Sequence, residues 1–396
     1  MLSHKSSSNT LILCEEKAPP ASLEARFSYA FCPQVTARLT SFPVVKISPD
    51  STGKEIFKII RETVPGIEKV IVVLWPETVL SKEGAQLLIN LTQKETLVGP
   101  VFNQSQNTSQ HAALPWPYFD IPTFCEAANF LATEKGASCF ETSSLDPACF
   151  ACHLEDIKAL GKAPLKDLLY SRKKKLVAEG ALVHVFREAT SGERPELLKL
   201  IPKGTKRVLE IGCGEGGFGK LLKKKKPEIS IEAVEPALYL AFKANPWYEK
   251  IYLSSFEEAQ LPKNSYDLVM LGDVLEHFYD PWEALQKIKN ILRPGGYLAG
   301  SVPNVSHWSV VRQLIEGNFE YLPHGLLSVG HIRFFTPKSL KGFLEETCFR
   351  IEFWKEETPP LSPAGIKFIE KIEKILQSQS FSLKVYRVLF CAQRVG

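Results

Sequence analysis

The densest chemistry in the chain lies at VLEIGCGEGG, Val208 to Gly217, where an apolar run ends in an acid and a set of glycines. A buried strand stopping at Gly212, Gly214 and Gly216, followed at once by helix-forming residues, lets bare backbone approach a ligand at a helix N-terminus. That geometry serves nucleotide-type cofactors in general, and Gly212, Gly214 and Gly217 also satisfy the G-x-G-x-x-G spacing of a dinucleotide site. Two carboxylates narrow the choice. Glu210 stands two residues before the first glycine, where it meets a cationic ligand group better than the phosphates of a dinucleotide. Glu235 closes the next strand-like segment, SIEAVEP, about where an acid hydrogen-bonds ribose hydroxyls. A ligand with both an ammonium and a ribose fits the pair, and a nicotinamide-dependent dehydrogenase remains the competing reading of the glycines.

A second stretch, CFACH at Cys149 to His153, spells the attachment signature of a c-type haem. Two arguments oppose haem. Covalent haem of this kind is attached after export, and the N-terminal residues MLSHKSSSNTLILCEEK contain no apolar run of signal-peptide length. The motif also reads as a strand between SLDP and a helix LEDIKALG that stops at Gly161. On a strand, positions three apart face opposite sides, so Cys149 and Cys152 cannot meet one porphyrin.

The elements that must position these residues fall into two halves. In the first, FPVVKIS, KVIVVLW and TLVGPVF read as strands, with helical periodicity in GKEIFKIIRETV and SKEGAQLLINLTQ between them. That βαβαβ order predicts a parallel sheet. NQSQNTSQ and LPWPYFDIP read as a long surface loop, and TFCEAANFLATEKG as a helix. Apolar periodicity lapses at REATSGERPE, Arg187 to Glu196, which places a domain boundary between residues 190 and 191. In the second half KRVLEIG, SIEAVEP, YDLVMLG and GGYLAGSVP are strands, and GFGKLLKKKK is a helix stopped by Pro227. The helix DPWEALQKIKNIL has Asp280 as its cap, Pro281 at the first position, and Leu285, Ile288 and Leu292 on one face.

With 396 residues, a formal charge of +4, 23% charged and 44% hydrophobic residues, the chain has room for two cores and no charge bias toward nucleic acid. The basic runs RKKK, Arg172 to Lys175, and KKKK, Lys223 to Lys226, read as solvated faces or helix ends. Nine scattered cysteines read as reduced thiols, and no apolar run is long enough to span a bilayer, so a cytoplasmic location is expected.

At VLEIGCGEGG, AVEP, LGDVLEH and LRPGG the chain resembles the class I S-adenosylmethionine-dependent methyltransferases, in the branch that includes ubiquinone-type and saccharide-linked enzymes. The resemblance runs over residues 196–396 and implies a Rossmann-like seven-stranded α/β sheet whose last two strands, FRIEFWKE and SLKVYRVLFCAQRV, pair antiparallel, with AGIKFIEKIEKILQ as an extra helix. It implies S-adenosylmethionine as cofactor, with Glu210, Gly212, Gly214 and Gly216 around the methionine part, Glu235 at the ribose and Asp273 beside the sulfonium. Ser255 stands where an acid near adenine is common, with Phe256 as a stacking residue and Glu257 as a substitute acid. Methyl transfer needs at most one base, and His277, His307 and His331 are the candidates; no metal is expected. The segment from Pro303 to Leu340 resembles the branch's substrate lid, with Ser328 and Gly330 in place of an Asp and a Thr, and Thr336 with Pro337 as a helix start. LGDV departs from the loop used for exocyclic amines of bases.

Phe42 to Gly161 resembles part of a family 2 glycosyltransferase of the GT-A type, and residues 1–190 are expected to form a smaller, degenerate α/β domain of that kind. Only Glu77, in WPET, offers a carboxylate where such enzymes hold a metal and a sugar diphosphate. The expected activity is O-methylation of a small-molecule or saccharide acceptor by residues 191–396. The first domain would hold a glycan or protein partner or shape a homodimer. The alternative is a glycan-binding or scaffolding protein with a non-catalytic second domain.

Overall fold

A computed structural model of the chain describes residues 10–16, 23–103, 108–186, 192–377 and 381–395. The chain divides into two compact units, Met1–Arg187 with Leu322–Gly325 and Glu188–Tyr321 with Leu326–Gly396. The boundary expected at 190 and 191 lies outside the described residues, as does most of the NQSQ stretch.

Strands of the first unit are β1 (Thr10–Glu15), β2 (Val44–Ile47), β3 (Lys69–Val73), β4 (Thr78–Leu80), β5 (Thr96–Phe102), β6 (Cys139–Glu141), β7 (Cys149–His153) and β8 (Lys174–Val185). Its helices are α1 (Leu23–Thr40), α2 (Gly53–Thr63), α3 (Lys82–Leu91), α4 (Ile121–Lys135) and α5 (Leu154–Ala159). Local chemistry starts several of them: Thr52 and Glu55 form a capping box for α2, and Asp120 accepts from the Thr123 amide to open α4.

The sheet runs β2-β1-β3-β7-β5-β8-β4 with β6 on β8, and it is mixed rather than parallel. Strand β7 lies antiparallel between β3 and β5, which separates the strands the βαβαβ reading would have paired. Strands β1 and β8 carry no clean alternation and escape the sequence reading; both are buried almost throughout. The RKKK run is a solvated face only at Arg172 and Lys174; as it leads into β8, Lys173 pairs with Asp156 at 2.9 Å and Glu95 at 2.7 Å, and Lys175 is buried, donating to the Ser171 carbonyl. Nor is the loop after β5 wholly superficial, since Gln110 is fully buried, donating to the Pro100 carbonyl and accepting from the Asp146 amide.

CFACH is the strand β7 itself. Cys149 packs in the cluster that holds Ile71, Val98 and Phe102, while Cys152 packs in the opposite one with Val70, Leu97 and Phe150. The two thiols therefore face away from each other across the sheet, and all nine cysteines are free.

The second unit adds β9 (Arg207–Ile211), β10 (Ser230–Val234), β11 (Lys250–Tyr252), β12 (Tyr266–Gly272), β13 (Leu292–Pro303), β14 (Phe349–Glu357) and β15 (Arg387–Arg394). Helices α6 (Gly217–Lys225), α7 (Leu238–Ala244), α8 (Pro281–Ile291), α9 (Trp308–Ile315), α10 (Pro337–Glu346) and α11 (Pro363–Leu376) accompany them. The order β11-β10-β9-β12-β13-β15-β14 makes a seven-stranded sheet, parallel from β11 to β13 and antiparallel at β15 and β14. Both faces are covered. Leu209, Ile211, Val269 and Leu271 enter one core and Val208, Leu268 and Met270 the other, the alternation a doubly covered sheet requires. Asp280 caps α8 by accepting from the Glu283 amide, and Thr336 with Ser339 forms a reciprocal box at α10. Among the described residues no helix is long and apolar enough to cross a membrane.

Burial decides thiol chemistry in this fold. Cys139 and Cys348 are exposed, whereas Cys149 and Cys152 are fully buried. A thiol reagent is expected to label Cys139 and Cys348 within minutes in the native protein and Cys149 and Cys152 only after denaturation. Peptide mapping checks this; fast native labelling of Cys149 and Cys152 would overturn the strand assignment.

Candidate active site

Parallel strands end on the same edge, and loops leaving that edge carry ligand sites in open α/β sheets. Here the edge collects the glycine loop after β9, Glu235 after β10, Asp273 after β12 and Asn304 after β13. Gly212, Gly214 and Gly216 have φ of +71°, +54° and +84°, a region that costs a residue with a side chain about 1–3 kcal/mol. Space is also short: a Cβ on Gly212 would stand 2.8 Å from Val274 Cγ2, and one on Gly216 2.9 Å from Ala244 Cα. Glu235 braces the loop, accepting from the Gly214 amide at 2.9 Å and from the Ala237 amide at 3.0 Å.

Glu210 is buried under α6. The Tyr248 hydroxyl donates to its Oε2 at 2.6 Å and accepts from the Gly219 amide at 3.2 Å. Burial outweighs that bond and the nearby Arg194 charge, and pushes the Glu210 carboxyl up to about 8.

Asp273 sits at φ +58°, a left-handed position uncommon for an aspartate. Its amide donates to the Ser301 carbonyl at 3.1 Å, and the Ser301 hydroxyl donates to its Oδ1. Arg194 lies 3.0 Å and Arg387 3.6 Å from its Oδ2. Both arginines also reach Glu196, and Arg387 reaches Glu357 at 2.7 Å. Sequence reasoning missed Arg194 and Arg387, since neither belongs to a motif and one is contributed by β15, far along the chain.

Ser255 is half-buried, its hydroxyl accepting from the Glu258 amide at 3.3 Å. Phe256 is 3% exposed and lies in the core, 5.6 Å from the Phe278 ring with Lys287 Nζ over its face. Glu257 is exposed.

The three histidines are not brought together. His277 and His331 are, with ring centroids 4.9 Å apart. His331 Nδ1 bonds the Leu326 carbonyl at 3.1 Å, and its Nε2 faces Glu276 Oε1 at 3.9 Å. His307 is fully buried and opens α9, its Nδ1 meeting the Ser309 hydroxyl at 2.9 Å. Burial holds its imidazole down to about 3, too weak a base for neutral solution. Ser328 makes the turn before His331, its hydroxyl accepting from the Gly330 amide and its carbonyl from the His331 amide. Glu276 escaped the sequence reading although it stands beside His277, because LEH alone does not say which side chain the fold turns inward.

Residues 184–352 match the family model described as a methyltransferase domain. The second unit carries a methyltransferase domain. An uncharacterized methyltransferase of Schizosaccharomyces pombe is 33% identical over 115 residues, 26% of this chain and 41% of that protein. A ubiquinone biosynthesis O-methyltransferase of Vibrio cholerae is 26% identical over 154 residues, covering 37% of this chain and 61% of that one. The chain thus spans less than two thirds of the length of these curated relatives. A solved S-adenosylmethionine-dependent methyltransferase from Archaeoglobus fulgidus covers 50% of this chain and 91% of its own, at 25% identity and a TM-score of 0.36. The glycosyltransferase likeness expected for the first half finds no support in these comparisons, whose methyltransferase model begins at residue 184, at the end of β8.

Within the methyltransferase domain the Glu210 carboxyl sets a pH dependence. Its native value of about 8 lies above the ordinary 4.5, so the folded state holds more protons than the unfolded one between those values, and stability falls as pH rises through that window. Glu210→Gln keeps an acceptor for Tyr248 and removes the titration. It is expected to match the wild type near about pH 5 and to melt several degrees higher at about pH 9. Thermal denaturation at both pH values reads the difference, and equal melting temperatures at the higher one would refute the account.

Proposed function

We propose that the second unit binds S-adenosylmethionine on the carboxyl edge of β9 and β10 and methylates an oxygen of a small-molecule acceptor. The observation that carries this reading is the glycine loop, with three positive φ angles and no room for a side chain at Gly212 or Gly216, set between the buried acids Glu210 and Glu235. These residues suit the group. Glu210 offers a carboxyl to an ammonium, the glycines offer amides and close approach, and Glu235 accepts hydrogen bonds where a ribose diol would donate them. The cofactor supplies a methyl group bonded to positive sulfur, which leaves with the electron pair as the acceptor oxygen forms the new bond to carbon.

The protein's share is placement and proton removal. Asp273, held by Arg194 and Ser301, presents a fixed charge at the sulfonium end, and Ser255 is the polar group on the adenine side. The acceptor's hydroxyl proton leaves toward the His277 and His331 pair; His307, buried and bonded to Ser309, takes no part. Exposed Phe319, Tyr321 and Phe334 stack edge to face at 5.4 Å and 5.9 Å and offer a wall for a ringed or apolar acceptor. The O-methyltransferase among the relatives supports oxygen as the accepting atom.

Equilibrium titration with S-adenosylmethionine tests the reading. The wild type is expected to bind in the micromolar range, and Glu235→Ala to weaken binding at least about tenfold, or 1.4 kcal/mol. Mass spectrometry with labelled cofactor and metabolite extracts then identifies the methylated product. No binding by the folded wild type would sink the proposal.

A further inference from the structure

The turn after β11 packs around a cation. Lys287 Nζ, from α8, lies 2.5 Å from the Phe256 carbonyl, 2.9 Å from the Glu257 carbonyl and 2.8 Å from the Ala259 carbonyl. An ammonium has three protons and no lone pair, so these three carbonyls use up its donors. The same Nζ stands 4.9 Å from the centre of the Phe256 ring, whose face attracts positive charge. The helix delivers the side chain: Lys287 shares a face with Ala284 and Ile291, both buried, so its stem lies along the apolar side while its head reaches the turn. Burial draws the ammonium below its usual range, and the nearby Glu257 and Glu283 charges oppose that fall.

Within the turn itself the Ala259 amide donates to the Ser255 carbonyl at 3.0 Å and the Glu258 amide to the Ser255 hydroxyl at 3.3 Å. The three carbonyls that Lys287 collects have no other donor among the described residues. In a trans peptide the N–H points opposite to the C=O, so drawing the Phe256 carbonyl onto Lys287 turns the Glu257 amide the other way. That amide has no acceptor among the described residues.

We propose that Lys287 is a positioning residue for the adenine end of the cofactor: by gathering three carbonyls on one side of the turn, it sets the Glu257 amide and the Ser255 hydroxyl as the groups that meet the base. The inference rests on the methyl-transfer reading, which puts Ser255 on the adenine side. Lys287 touches no part of the ligand and acts through the turn. A neutral side chain cannot replace it, because three carbonyl dipoles converging on one point repel each other once the charge between them is gone. The resulting site has a stated preference. An amide donor suits adenine, whose ring nitrogen N1 accepts, and disfavours hypoxanthine, whose N1 carries a proton of its own.

The full chain and its Lys287→Met and Lys287→Arg variants are titrated calorimetrically with S-adenosylhomocysteine and with S-inosylhomocysteine, which differs only in its base. The wild type is expected to prefer the adenosyl ligand at least about tenfold, Lys287→Met to keep less than about threefold, and Lys287→Arg, with charge and donors intact, to stay close to the wild type. Hydrogen exchange without ligand reads the turn directly: the amides of residues 255–259 are expected to exchange at least about tenfold faster in Lys287→Met, while circular dichroism and exchange in β12 stay unchanged. A methionine variant that keeps the wild-type preference, or that weakens for both ligands alike with exchange at 255–259 unaltered, overturns the role of Lys287 and leaves methyl transfer standing. Wild-type protein that binds neither ligand removes the methyl-transfer reading and this inference with it.

Discussion

The hydrogen bond from the Gly214 amide to the Glu235 carboxylate, 2.9 Å long, ties the loop of one strand to the end of its neighbour. The glycine loop at the carboxyl edge of the second sheet is held by that tie. In the loop at φ +71°, +54° and +84° the Gly212 amide donates to the Val234 carbonyl and the Gly216 amide to the Cys213 carbonyl, and the Gly214 amide between them is answered by the side chain that follows β10. Because β9 and β10 are paired in register from Arg207 with Ser230 to Ile211 with Val234, the acid arrives opposite the loop without a search. The close approach of Val274 to Gly212 and of Ala244 to Gly216 then leaves glycine as the residue that fits.

Charge around Asp273 follows a different logic. A left-handed aspartate persists only where its surroundings hold it, and here two arginines, the Ser301 hydroxyl and the Ser301 carbonyl do so. Arg194 comes from the stretch before β9, Arg387 from β15 and Ser301 from β13, so the position is fixed jointly by separate parts of the chain. Glu196 and Glu357 neutralise the arginines from behind. The network keeps the Asp273 side chain oriented at the sheet edge before any ligand arrives, the preorganisation a charged cofactor requires.

How much of this was legible in the sequence differs between the halves for physical reasons. In the second unit, apolar runs, the glycine set and the capped helix at Asp280 each state one local structure, and the sheet follows from their order. In the first, the strands read correctly but their pairing did not, because nothing in CFACH says that β7 inserts antiparallel between β3 and β5. The RKKK run misled because charge alone does not show that Asp156, 2% exposed, waits for Lys173 inside the fold. The glycine turn and the strand-end place of Glu235 were readable from spacing, whereas Arg194, Arg387 and Glu276 are placed by contacts that no local pattern encodes. Of the histidines, sequence could place all three beyond strand ends but could not tell that His307 turns inward to cap α9.

The buried acids of the second unit separate by how each is answered. Glu210 has the Tyr248 hydroxyl, Glu232 has Arg207 and the hydroxyls of Tyr252 and Tyr266, and Asp267 has the Lys206 and Arg207 amides with Arg293. Each of these partners serves the framework, joining one strand to the next or to a covering helix. Glu276 is buried as deeply, with no hydrogen-bond partner for either oxygen among the described residues and burial holding its carboxyl well above the usual range. Two hydrogen bonds from the Ile332 and Arg333 amides fasten the Glu276 backbone, and its side chain lies 3.9 Å from His331 Nε2. A carboxyl so placed is answered by its own proton, since burial holds it in the neutral form.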